Sequence, residues 1–349
     1  MTSKADWNVA IIGAGMAGAS AGQALAKQGA SVAIFDKGRG PGGRCATRRH
    51  DAYCFDHGAQ YFTARDPRFR KQVAAWAKSG AAAHWRPRIG QLSASQFEPI
   101  RRRDLWVGTP GMAGLSRAML DGLDVRFDAQ IRTIERAEER WAVVEASGET
   151  HIGFDQLLVT APAPQVGPLL GDHFSAATDA ANNATMLPCW TLMLAFDKQI
   201  ELPFDAAKVV SKGPISWLAR NSSKPGRSDS GMDCWVVQAD HAWSRDHAEL
   251  SRQQATGSLL SDFATICEAC GVPVAGPSHT AAHRWRYALA TPDTTHGGVL
   301  NADTGLAVAG DWLSGGRIES AWLSGLLAAE RLIAAWPEQT RAMAGVESP

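Results

Sequence analysis

The stretch Asn8-Val-Ala-Ile-Ile-Gly-Ala-Gly-Met-Ala-Gly-Ala-Ser-Ala-Gly-Gln-Ala-Leu-Ala-Lys27 decides the fold. Its apolar run over 9–12 has the length of a buried strand. The run breaks at Gly13, and 16–27 is rich in good helix formers. Gly13, Gly15 and Gly18 therefore place G-x-G-x-x-G at a strand-to-helix junction. The first glycine allows the tight turn, the second lets backbone approach a pyrophosphate, and the third lets helix and strand pack closely. The helix start adds free N–H groups and a positive dipole end. A second strand over 31–35 ends at Asp36, the acid expected about 20 residues on to accept hydrogen bonds from a ribose. The pattern predicts a dinucleotide site, with Gly13, Ala14, Gly15, Met16, Ala17 and Gly18 at the phosphates and Asp36 at the ribose.

The next residues are Lys37-Gly-Arg-Gly-Pro-Gly-Gly-Arg-Cys-Ala-Thr-Arg48. Consecutive glycines permit close backbone approach, and arginine supplies fixed forks for phosphate oxygens. The segment resembles the R-x-G-G-R-x-x-[ST] loop of flavin-dependent amine oxidases. That resemblance implies FAD as the dinucleotide, with Lys37, Arg39, Gly42, Gly43 and Arg44 around its pyrophosphate and toward the isoalloxazine. Cys45 stands where this loop would carry methionine.

Cys54-Phe-Asp-His-Gly-Ala-Gln-Tyr-Phe-Thr-Ala-Arg65 narrows the resemblance to the renalase-like branch of that superfamily, its bacterial members above all. Agreeing blocks are Trp106-Val-Gly-Thr-Pro-Gly-Met112, Trp217-Leu-Ala-Arg-Asn-Ser-Ser-Lys-Pro225, His283-Arg-Trp-Arg-Tyr-Ala288 and Gly316-Arg-Ile-Glu-Ser-Ala-Trp-Leu-Ser-Gly325. The resemblance implies cofactor contacts from His57, Gly58, Ala59, Gln60, the backbone of Ile131, and the turn after Thr160. It implies a substrate pocket of Gln60, Tyr61, Asn221, Trp285 and Tyr287. Trp285 and Tyr287 alternate with Arg284 and Arg286, as on a strand with two unlike faces.

Bounds on the whole chain agree. Its 349 residues suffice for about two domains. A formal net charge of zero argues against a broad nucleic-acid or membrane footprint. Arg101-Arg102-Arg103 is a local exception, read as a solvated face that could attract a phosphate-bearing substrate. No apolar run approaches membrane-spanning length and no export signal is visible. Six cysteines in a chain this long suggest no disulfide framework, and Cys267-Glu-Ala-Cys270 lies on a helical pattern without a second pair. These features predict a cytoplasmic protein with reduced thiols and no metal site.

The expected fold class is α/β: a Rossmann-type FAD-binding domain, similar to amine oxidases and p-hydroxybenzoate hydroxylase, with a mixed α+β substrate domain. Both are discontinuous. The FAD domain is expected from 1–70, 104–164 and 295–340, the substrate domain from 71–103 and 165–294, and a tail from 341–349. A helix is read at 111–120, a small meander at 124–127, 130–136 and 141–145, and a return to the main sheet at 155–160. In the substrate domain strands are read at 191–196, 211–218 and 234–238, and a helix at 248–270. Most of its tryptophans are expected to be core.

The last segment has an apolar strand over 305–310, then Asp311 and a helix from about 316 to 336. This resembles the closing FAD motif. Gly310, Asp311, Arg317 and Ile318 would meet the cofactor, with the helix dipole opposing negative charge on reduced flavin. Some amine oxidases attach flavin through a cysteine before this helix. Trp312-Leu-Ser-Gly-Gly-Arg317 has none, so FAD is expected to be non-covalent. Many also hold a lysine near flavin N5, and the comparable strand over 185–196 has none.

No nucleophile–base pair stands out, and hydride transfer to a flavin needs none. The renalase resemblance implies oxidation of 2-dihydro- and 6-dihydro-NAD(P) to NAD(P)+, with O2 reoxidising the flavin to give H2O2. Two alternatives stay open: a flavin oxidase or dehydrogenase for an amine or another small molecule, and a non-catalytic flavin-binding or sensing protein.

Overall fold

The computed structural model describes residues 7–51, 53–102, 104–210, 213–227, 231–291 and 298–345, with side chains to residue 336. Arg103, positions 211–212 of one expected strand and the last four residues lie outside this set. The chain forms two compact units. One comprises Met1–Gly43, Ser116–Met186 and Ala290–Pro349; the other comprises Arg44–Leu115 and Leu187–Leu289.

The first unit is built on a six-stranded sheet in the order Val299–Asn301, Leu306–Val308, Gln156–Val159, Asn8–Ile12, Ser31–Phe35, Asp124–Arg126. All neighbours are parallel except the first pair. Val9, Ala10 and Ile11 are wholly buried, which explains the unbroken apolar run: a central parallel strand is covered on both faces. The helix Met16–Lys27 packs against the long helix Ile318–Gly345. The contact is close, since a Cβ at Gly325 would lie 2.0 Å from Ala17 O. Phe35, Leu157 and Val308 share a core with Ile134, Trp141, Val143 and Phe154 of an antiparallel meander.

Three expectations for this unit need correction. The strand at 124 leaves the meander and pairs in parallel with Ser31–Phe35; the meander's third strand is Thr150–Phe154. A three-residue strand carries no periodicity that could identify its partner. Residues 165–186, expected in the substrate domain, belong here, because Val166, Phe174, Ala177 and Ala181 complete the same core. Conversely, 44–70 and 104–115 belong to the second unit. Phe55 packs there with Met193, Cys234 and Val236, and Phe62 pairs with Trp106. Contacts so distant in the chain leave no mark on local composition.

The second unit has a seven-stranded sheet in the order His279–Ala290, Met186–Phe196, Asp233–Ala239, Ile215–Arg220, Ala206–Val209, Ile89–Ser93, Gln96–Pro99. The helix Arg252–Ala269 covers it, placing Leu259 and Phe263 in the core with Trp235. A capping box starts that helix: the Ser251 side chain accepts from Gln254 N, and the Gln254 side chain accepts from Ser251 N. Cys267 faces the core, and burial pushes its thiol up to about 12, so its spacing to Cys270 reflects packing. All six cysteines are free.

Candidate functional site

The glycine turn of the first unit meets the three demands made of it. Gly13 has φ +114°, and a Cβ there would lie 2.4 Å from Thr160 Oγ1. The Thr160 hydroxyl donates to Ile12 O at 2.9 Å, strapping the turn to the neighbouring strand. At Gly18 a Cβ would lie 1.9 Å from Gly13 O, so only glycine lets the helix start this close. Gly15 is the opposite: a Cβ would meet nothing within 4 Å. Space is kept open where backbone N–H groups converge at a helix start, the environment a phosphate needs.

Asp36 supports the same turn. Its Oδ2 accepts from Ala14 N and its Oδ1 from Gly38 N, each at 2.6 Å. Each oxygen keeps a further lone pair for a ribose hydroxyl. The following loop folds back onto the turn: Gly42 N donates to Ala14 O at 3.1 Å, and a Cβ at Gly43 would lie 3.4 Å from Gly15 Cα. The two glycine motifs thus form one surface. Lys37 Nζ is held by Gln165 Oε1 at 3.1 Å, while Arg39 is exposed beside it.

The closing segment joins this surface. Asp311 is buried, and its carbonyl accepts from Ser314 N and Gly316 N. Trp312 Nε1 donates to Ala161 O at 3.1 Å, tying Gly310 and Asp311 to the turn after Thr160. Arg317 is exposed, and the long helix begins at Ile318, slightly later than expected. Ile131 puts its side chain in the core but begins an edge strand of the meander, so one backbone flank faces no strand. The open position at Gly15, the free lone pairs of Asp36 and the joined motifs fit FAD.

In the second unit the segments 54–65, 217–225 and 283–288 contribute to two aromatic groups. A Cβ at Gly58 would lie 2.0 Å from Arg44 O, and Ala59 N donates to that oxygen at 3.0 Å. His57 O accepts from Trp285 Nε1 at 2.8 Å, and the rings of His57, His283 and Trp285 lie 4.5–4.9 Å apart. Burial holds both imidazoles down to about 4, helped at His57 by His283 and Arg48 and at His283 by Arg48 and Arg252. The second group is Tyr61, 5.7 Å from Trp217 and 6.3 Å from Trp85. Trp217 Nε1 is buried with no hydrogen-bond partner among the described residues. Tyr287 is half-buried on the strand of Trp285, two residues along the same face.

Two expected pocket residues are used elsewhere. Asn221 is fully buried, its Nδ2 donating to Cys54 O at 2.8 Å and its Oδ1 accepting from Asp56 N at 3.3 Å. An amide with both ends bonded to a neighbouring strand is a structural bridge. Gln60 is 6% exposed; its Nε2 donates to Gly58 O and Asp56 O, and its Oε1 accepts from Lys224 Nζ at 3.1 Å. Behind them lies an ion cluster that sequence reading missed: Asp56 meets Lys224 and Arg227, all buried. The only available signal was a Lys and an Arg inside or just beyond the Trp217 block, and nothing local marks them as buried.

Residues 93–333 match the family described as flavin-containing amine oxidoreductase, well over half the chain. The chain belongs to that family. Residues 11–76 match an NAD(P)-binding Rossmann-like domain. Members are flavin-dependent oxidoreductases, and FAD is this protein's non-covalent cofactor. Solved structures repeat the architecture across nearly the whole chain. A provisionally named protoporphyrinogen oxidase from Exiguobacterium has a TM-score of 0.77 at 14% identity, covering 96% of this chain and all of its own. Cyclohexylamine oxidase from Brevibacterium oxydans has 0.73 at 13%, covering 95% and 100%. Putrescine oxidase bound to putrescine has 0.69 at 13%, covering 94% and 99%. At such identities the likeness is one of fold. A zeta-carotene-forming phytoene desaturase of Myxococcus xanthus is 42% identical over 50 residues, 14% of this chain and a tenth of that relative's length. Among the described residues no helix is long and apolar enough to cross a membrane.

Acid precipitation of the purified yellow protein is expected to leave intact FAD in the supernatant. Flavin remaining with the pellet would overturn the non-covalent assignment.

Proposed function

We propose that this protein is a renalase-like oxidase that converts 2-dihydro- and 6-dihydro-NAD(P) to NAD(P)+, with O2 as electron acceptor and H2O2 as product. The observation that carries this reading is the fixed Trp285 ring, whose Nε1 donates to His57 O at 2.8 Å with the His57 and His283 rings packed at 4.5–4.9 Å, both of low basicity. With His57 and His283 held to about 4, neither is matched to removing a proton near neutrality. A misreduced nicotinamide needs no such base, because losing its hydride restores aromaticity. When bound, FAD supplies the hydride acceptor and passes the electrons to O2.

The chain's own residues have two tasks. Gly13, Ala14, Gly15, Met16, Ala17, Gly18, Asp36, Arg39 and Asp311 hold the cofactor. Trp285 and Tyr287 offer flat apolar surface against which a nicotinamide is oriented. The proposed setting is the cytoplasm, where six free cysteines stay reduced.

One observation favours a second reading. Tyr61, Trp85 and Trp217 form an aromatic group suited to an amine, so an amine oxidase is the alternative. Anaerobic mixing separates the two: 6-dihydro-NAD is expected to bleach the flavin rapidly and a panel of amines is not. Tyr61→Phe and Tyr287→Phe are expected to slow that bleaching by less than about tenfold, since general acid–base catalysis contributes about 10²–10⁴-fold. A thousandfold loss with FAD still bound would restore a proton-transfer role. No bleaching by any dihydronicotinamide would end the renalase reading.

A further inference from the structure

A cavity of about 260 Å³ in the second unit is lined by Trp190, Leu250, Arg252, His283, Arg284 and Arg286. Three arginines line it in a chain whose formal net charge is zero. Their only ion-pair partner among the described residues is Glu249, 3.6 Å from Arg284 and itself exposed. Arg252 and Arg286 are exposed and have no hydrogen-bond or ion-pair partner among the described residues. Arg284 lies over the Trp190 ring at 5.7 Å, and Trp190 Nε1 is fixed by His247 O. The ring forms a rigid floor that presents Arg284 rather than neutralising it. Arg252 is the first residue of the helix Arg252–Ala269, at its positive dipole end.

We infer that this basic pocket is the phosphoryl subsite for the dinucleotide substrate, gripping its diphosphate while the nicotinamide lies along Trp285 and Tyr287. The inference rests on the proposed function. Three observations carry it. First, planar guanidinium forks match phosphate oxygens two at a time, and three of them around one cavity exceed what a single exposed carboxylate can balance. Second, the volume falls below the roughly 300–1,000 Å³ that whole ligands occupy, so it suits one group of a larger molecule. Third, the pocket and the aromatic group have one residue in common. His283 lines it and packs at 4.5 Å against Trp285, two strand residues or about 7 Å further on. Arg284 and Arg286 face the other side of this edge strand from Trp285, so the ribose that joins nicotinamide to diphosphate turns over the strand edge at His283. The positive potential is already felt inside, where Arg48 and Arg252 help burial keep His283 neutral.

The test uses the FAD-loaded protein and two probes. Inorganic diphosphate is titrated calorimetrically into unmodified protein and into R252Q/R286Q. Both side chains are exposed and unpaired, so the variant is expected to fold and keep its flavin. Diphosphate binding should weaken by about tenfold or more. In anaerobic stopped flow, the apparent Kd of 6-dihydro-NAD should rise by about tenfold or more relative to that of the unphosphorylated 6-dihydronicotinamide riboside. R245Q removes an exposed arginine paired with Asp246 and serves as the control; it should move neither value. Diphosphate binding that is absent, or equal in both proteins, would overturn the subsite. So would an R252Q/R286Q protein whose Kd for dinucleotide and riboside shift together. Failure of the functional reading is a separate result, a holoenzyme that no dihydronicotinamide bleaches, and the diphosphate titration judges the pocket in either case.

Discussion

Asp56→Ala is expected to destabilise the protein by about 3–5 kcal/mol, the cost of leaving buried charges without their counter-ion. Asp56 has no exposed surface, and Lys224 and Arg227 are buried against it, Lys224 Nζ at 3.3 Å from its carboxylate. The same carboxylate accepts from Met112 N and Thr47 Oγ1, each at 2.9 Å. Arg227 in turn donates to Gly108 O and Pro110 O. Removing the acid therefore strands two cations and unties the 108–112 loop. The exposed Arg88–Asp205 pair, where Arg88 is half in solvent, should cost no more than about 1 kcal/mol when Arg88 becomes alanine. A melting point lowered by roughly 10 °C is the expected reading for Asp56→Ala; a loss as small as that of Arg88→Ala would show that the cluster contributes little. The pH dependence follows. Burial alone would raise Asp56, but Lys224 and Arg227 overcome it and the carboxyl ends below its ordinary value. Its contribution is full above the unfolded carboxyl pKa of about 3.9 and is lost as pH falls through the lower folded value. Asp56→Asn, which cannot titrate, should flatten that acid limb.

How much of this was legible beforehand differs between the two units for a physical reason. In the first, each step is local. Residues 9–12 alternate with nothing because both faces are buried, the glycines sit where φ or close approach demands them, and Asp36 follows the second strand directly. The sequence-predicted helix at 16–27 and strand at 31–35 match the observed bounds. In the second, function depends on residues far apart in the chain. Asp56 and its cationic partners are separated by 168 and 171 positions, and Asn221 reaches back 167 positions to Cys54. A family-like block singles out Asn221, but does not say whether its amide faces a ligand or a strand. Lys224 reads as a surface lysine until its neighbours are known; in place, burial holds it down to about 8, with Asp56 offsetting part of that. Trp217 was legible as an aromatic and illegible as an unsatisfied donor, because satisfaction is a property of packing. The domain boundaries erred likewise, at 44–70, 104–115 and 165–186, where cores are completed by distant segments.

Two glycine substitutions three residues apart are expected to fail differently, and the contrast isolates the cofactor site from the fold. Gly15→Ala places a methyl group into space that no protein atom occupies within 4 Å. Its backbone, φ −77° and ψ −170°, suits any residue. The unliganded protein should therefore melt where the unmodified apoprotein does, while FAD binding weakens by about 10–100-fold through displaced phosphate contacts, each worth roughly 1.5–3 kcal/mol. Gly18→Ala drives a Cβ to within 1.9 Å of Gly13 O, a backbone atom that cannot swing aside. The helix must move off the strand, which disturbs Gly13, Thr160 Oγ1 and the contact of Ala17 O with Gly325 together. That variant should lose FAD and also melt lower than the apoprotein. Because a ligand stabilises only the state it binds, by RT ln(1 + [L]/Kd), adding FAD should raise the melting point of unmodified protein strongly, of Gly15→Ala weakly, and of Gly18→Ala least. Flavin content after gel filtration and melting curves with and without added FAD measure all three proteins. A Gly15→Ala protein that purifies fully yellow would remove the glycine turn from the phosphate site, and a Gly18→Ala apoprotein of unchanged stability would show that the helix can shift without cost.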